Sequence, residues 1–189
     1  MQAKLLTKAL FYEYLTIAWN VFEGIVCITI GMLSGSVVLV AYGLESGIEV
    51  FASSVVVWDL KDPGNKREKI ALRYIGFAYL VVSLYVFIDA TVSLFAGHHP
   101  QKTIGGILFI ILTVVVMLTL GLIKRFIGKK MKSETVLADA KFTLIDGALA
   151  ATVLVGLVLN ALVGLWWVDQ VMALFLAGVA CREGIREMF

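Results

Sequence analysis

Proline and cysteine are nearly absent from this sequence, with 2 of each among 189 residues, and charged side chains make up only 16% of it. So little proline leaves nothing to interrupt the apolar runs. The cysteines, Cys27 and Cys181, both lie inside apolar segments, which excludes a disulfide framework or a zinc finger and reads as two small buried hydrophobes. A formal net charge of +2 is too small to point to nucleic acid. There is no Ser-His-Asp or Cys-His arrangement, no HExxH and no glycine-rich phosphate loop, so an enzyme is not expected. The first twenty residues lack a compact apolar core followed by a small-residue cleavage site, and a signal peptide is not expected either.

What the sequence has in quantity is apolar surface. Hydrophobic residues are 60% of the chain and the mean hydropathy is +0.94, outside the range of soluble domains. Runs of about 20 apolar residues are the length a helix needs to cross a bilayer. The expectation is an all-α, multi-pass membrane protein: one bundle over 1–189 of six transmembrane helices, at about 13–33, 35–58, 70–96, 104–126, 136–162 and 165–185, with no soluble domain.

The basic residues orient it. Lys4, Lys8, Lys61, Lys66, Arg67, Lys69, the run Lys124, Arg125, Lys129, Lys130 and Lys132, and then Arg182 and Arg186 all fall on one side, against Lys102 alone on the other. Both termini are therefore expected in the cytoplasm, and in a bacterium the chain would sit in the inner membrane. Trp166 and Trp167 suit the outer interface, and His98 and His99, beside Pro100, read as a solvated loop pair.

The second helix carries the main anomaly. Glu45 and Glu49 lie near its midpoint, where an acidic residue costs about 2.5–3.5 kcal/mol. Four residues apart, they share one face with Cβ atoms roughly 5–6 Å apart. Two anions that close require a cation between them or a proton on one. In the first helix Thr16, Asn20, Glu23 and Cys27 recur at spacings of four, three and four, a stripe that should face protein or water instead of lipid. The fifth helix holds Asp139, Lys141 and Asp146. Asp139, a turn into that helix, is expected to cap it or pair with Lys141, and Lys141 to snorkel to the interface. Asp89 and Asp169, near helix ends, read as interfacial.

These residues resemble the transmembrane domain of the cation diffusion facilitator, or cation efflux, family over essentially the whole chain. Gly35-Ser36 leads to Glu45 and Glu49 at the spacing of that family's acid-or-His, three residues, Asp pair. Ala138-Asp139 and Asp146 match its fifth-helix pattern, with Phe142 standing where a histidine would be. Trp167-Val168-Asp169 and Tyr85 with Asp89-Ala90 match its sixth- and third-helix patterns. Asn65-Lys66-Arg67-Glu68-Lys69 replaces the usual His-Gly-x-Ala-Glu segment, and the cytoplasmic domain that usually follows is not expected.

The resemblance implies a mid-membrane cation site containing Glu45, Glu49 and Asp146, with water, Tyr42, Asn20 or Glu23 as a further ligand and Asp139 as a further candidate. Three carboxylates against a divalent ion imply that at least one holds a proton when metal is absent. It also implies export of a divalent metal cation in exchange for protons, and a homodimer. Zn²⁺ is the family expectation, and without the imidazole an all-oxygen set accepts Mn²⁺, Fe²⁺ or Co²⁺ comparably well. A metal-binding membrane protein that kept the fold and lost turnover, a sensor or assembly partner, is the alternative.

Overall fold

In a computed structural model of the chain, the described residues are 2–34, 37–62, 65–96, 104–163, 165 and 167–188, with the side chains of 2, 3, 34, 37, 38, 41, 65, 66, 160, 161, 168, 169, 172, 173 and 176 excepted. The Gly35-Ser36 and Pro63-Gly64 turns, His98 and His99, Lys102, Trp166 and the Asp169 side chain thus lie outside the described residues.

Six helices follow one another: α1 Gln2–Ser34, α2 Val37–Lys61, α3 Asn65–Ala96, α4 Ile104–Met131, α5 Glu134–Val163 and α6 Val168–Met188. Several run further than apolarity alone marks. α1 starts at Gln2 and not near 13, and α4 continues to Met131 with Lys129 and Lys130 in its last turn. Hydropathy registers only the part of a helix that lipid surrounds, while lysines at a helix C-terminus are favoured by the helix dipole. Among the described residues four stretches are long and apolar enough to cross a membrane: Lys4–Leu33, Arg67–Ala96, Ile104–Met131 and Glu134–Leu159.

The helices pack in pairs, α1 on α2, α4 on α5 and α3 on α6, and α5 also touches α2, α3 and α6. The interior combines an apolar core with a set of buried polar and charged side chains, and the outer face of the bundle is apolar. Phe77, Leu84, Phe87 and Phe95 of α3 and Leu108, Val115 and Leu122 of α4 are exposed. The stripe Thr16, Asn20, Glu23 and Cys27 is fully buried, as its spacing requires.

Two local devices set the register of the site. The α4–α5 turn is short: Lys132 adopts φ 55°, the Ser133 amide donates to the Gly128 carbonyl at 3.2 Å, and the Ser133 hydroxyl accepts from the Val136 amide at 3.3 Å. A left-handed residue closing one helix and a serine capping the next leave no slack, so the last turns of α4 lie against the first turns of α5. The second device is the α1–α2 crossing. A Cβ on Gly43 would lie 2.9 Å from the Gly24 carbonyl oxygen and 2.8 Å from Ile28 Cγ1. Only glycine allows that approach, which brings Glu23 of α1 against Tyr42 of α2. Gly43→Ala is expected to force the pair apart and to cost about 1–3 kcal/mol, read as a lower midpoint of thermal unfolding in detergent.

Candidate cation site

Glu45 and Glu49 of α2 and Asp146 of α5 are all buried, at 6%, 1% and 3% exposure. Two hydrogen bonds hold their helices face to face. The Tyr42 hydroxyl donates to Asp146 Oδ2 at 3.3 Å, and the Thr143 hydroxyl donates to Glu49 Oε1 at 2.6 Å. Thr143 precedes Asp146 by three residues, so the two bonds lie about one turn apart along the α2–α5 seam. Glu49 Oε2 has no hydrogen-bond partner among the described residues.

Glu23 enters from α1. Its carboxylate is fully buried beside Tyr42, Trp19 and Thr113, and neither oxygen meets hydrogen-bond geometry with a described residue. Asp146 feels the charges of Glu49, Glu23 and Glu45 together, so these acids share one buried electrostatic environment. Asn20 donates its amide to the Thr16 carbonyl at 3.0 Å and leaves Oδ1 without a described partner. The acids are gathered loosely: among the described residues no three His, Cys, Asp or Glu side chains converge on one point as a finished ligand shell. Asp89, half-buried on α3, lies within electrostatic range of Glu45.

Asp139 behaves otherwise than expected. It neither caps α5 nor pairs with Lys141, because Lys124 of α4 reaches it first and forms a buried ion pair. Lys141 lies on the other flank of α5 and ties it to α6 through Glu187 at 3.1 Å and Glu183 at 3.4 Å. It is an interhelix tie and not a side chain reaching out to the interface. Phe142 is buried with its ring edge-on to Tyr79, centroids 4.5 Å apart, and packs α5 against α3.

Two charged residues escaped the sequence reading. Lys124 belongs to the basic run at the end of α4, yet its side chain is 1% exposed and reaches into the bundle. The signal was present: Ile110, Thr113, Met117, Leu120, Lys124 and Ile127 fall at helical spacing on one buried face. Glu13, which also binds Lys124, is the polar stripe of α1 continued one turn back from Thr16.

The chain is similar to the magnetosome protein MamB of Magnetospirillum gryphiswaldense, 26% identical over 185 residues, which cover 89% of this chain and 62% of that protein. It is similar also to transmembrane protein 163 of Xenopus laevis, 23% identical over 186 residues, 95% of this chain and 66% of the relative. An uncharacterized transporter of Methanocaldococcus jannaschii is 25% identical over 174 residues, 86% and 61%. The chain thus spans a little under two thirds of the length of these relatives. Residues 14–188 match the cation efflux transmembrane domain, a stretch that takes in all of the buried acids of α1, α2 and α5 except Glu13, and the chain belongs to that family of integral membrane proteins.

Proposed function

We propose that the chain carries a divalent metal cation out of the cytoplasm past the buried acids of α1, α2 and α5, with Glu45, Glu49 and Asp146 as ligands and protons as the counter-ion. The observation that carries this reading is the double tie across the α2–α5 seam. Tyr42 to Asp146 and Thr143 to Glu49 hold two acid-bearing helices together in the buried interior and leave a carboxylate oxygen of Glu49 over for an ion.

Charge balance supplies the coupling. Three carboxylates cannot all stay ionised and unpaired in the membrane, so each must meet metal or hold a proton. A metal ion that enters displaces protons, and protons that return displace the metal. The loose gathering of the acids suits this task, since a carrier must bind its ion well enough to admit it and weakly enough to let it go. Kinship with the transporter of Methanocaldococcus jannaschii supports turnover over mere binding.

The donors are oxygen throughout, which favours Mn²⁺, Fe²⁺ or Co²⁺ alongside Zn²⁺. Phe142 offers no lone pair where the family's histidine would stand. The test is flux in vesicles under an imposed pH gradient, across Mn²⁺, Fe²⁺, Zn²⁺, Co²⁺ and Mg²⁺. Metal-dependent proton counterflow is expected, and Phe142→His is expected to shift the preference toward Zn²⁺ by adding an imidazole. One rival remains, a metal-binding membrane protein that kept the fold and lost turnover, for which Phe142 in place of the family's histidine speaks. Calorimetric binding with no flux for any metal would select that rival.

A further inference from the structure

Lys124 is buried where four helices meet. Its ammonium lies 3.0 Å from Glu13 Oε2 of α1, pairs with Asp139 of α5, donates to the Thr143 hydroxyl at 3.1 Å and lies 3.5 Å from the Ser53 hydroxyl of α2. The ammonium donates hydrogen bonds to the two hydroxyls, and the carboxylates of Glu13 and Asp139 meet it as ion pairs. Thr143 in turn donates to Glu49 at 2.6 Å, so this cluster adjoins the proposed cation site.

Its depth follows from helix rise. At 1.5 Å per residue Lys124 is about 10 Å from the Met131 end of α4, and Asp139 about 8 Å from the start of α5. Glu49 is about 18 Å from the Lys61 end of α2, and Asp146 about 18 Å into α5. The Lys124 layer, with Ser53 and Thr143, therefore lies between one and two helical turns nearer the end of the bundle that holds the termini than Glu49 and Asp146 do.

Two carboxylates and two hydroxyls around one cation form an all-oxygen cage of the kind that hard divalent ions occupy. We propose that Lys124 is a tethered cation filling a second oxygen cage, made by Glu13, Asp139, Thr143 and Ser53, that a divalent metal would otherwise bind. The ammonium cannot diffuse away, so the layer stays attractive to an approaching cation while being closed to it. The transported ion then has one resting place in the membrane instead of two in series.

The inference rests on the proposed transport reading only for the identity of the neighbouring site. It is tested by Co²⁺ binding to the purified, detergent-solubilised chain in equilibrium dialysis at fixed pH. Lys124→Met is expected to bind one Co²⁺ per chain more than the unaltered protein. The extra ion should be absent in Lys124→Arg and lost again in the triple variant Glu13→Gln, Lys124→Met, Asp139→Asn. Equal stoichiometry in Lys124→Met and the unaltered chain overturns the proposal.

Should Lys124→Met be recovered only as aggregate, Co²⁺ added during extraction is expected to restore a monodisperse protein, because the ion replaces the ammonium. Aggregation regardless of Co²⁺ overturns the proposal too. An unaltered chain that binds no Co²⁺, beside a Lys124→Met chain that binds one, would sink the transport site and leave this cage standing. Normal Glu49-dependent binding with no gain in Lys124→Met would do the reverse.

Discussion

Glu49→Ala and Asp146→Ala are each expected to lower metal-dependent flux in vesicles by about a hundredfold or more. Losing a partner that only supports a ligand already costs about 10–100-fold in metal affinity, and these two residues are proposed as ligands of the ion itself. Tyr42→Phe separates the two kinds of contribution. It keeps the buried ring and removes the hydroxyl that donates to Asp146, so a loss of about 10–100-fold is expected with the fold intact. Because carboxylates must be deprotonated to bind metal, affinity in the unaltered chain should fall as the pH is lowered. Wild-type flux in both alanine variants would remove these residues from the ion's path.

The acids on α2 could be found without coordinates because lipid makes a charge at helix centre conspicuous, and Glu45 and Glu49 have no apolar explanation. The α1 stripe was legible for the same reason, since Thr16, Asn20, Glu23 and Cys27 repeat at helical spacing and all are buried. Lys124 was not read as interior, because a lysine seven residues from a basic helix end looks like part of the charged rim. Its burial depends on a turn. The left-handed Lys132 and the Ser133 cap fix α4 against α5 so that Lys124 meets Asp139 and Thr143. Periodicity gives the face of a helix but not what stands opposite it, and the pairing of Lys141 with Glu183 and Glu187 was hidden in the same way.

Charge arithmetic in the Lys124 cage sets the largest expected effect on stability. When both carboxylates are ionised, Glu13 and Asp139 bring two negative charges against the one positive charge of Lys124, with all three side chains 0–1% exposed. Removing one partner of a buried ion pair costs about 3–5 kcal/mol when a charge is left stranded. Lys124→Met strands two carboxylates, so it should lose about that much in denaturant titrations of the detergent-solubilised chain. Asp139→Asn leaves one ammonium with one carboxylate, a balanced pair, and should lose far less. Combining Glu13→Gln, Lys124→Met and Asp139→Asn removes every charge together, and most of the Lys124→Met loss should return, because a buried ion pair is worth little over neutral groups of similar shape. Similar losses in Lys124→Met and Asp139→Asn would mean that the cluster acts as one simple pair, with Glu13 a bystander, and that the cage lacks the surplus negative charge needed to draw a divalent ion.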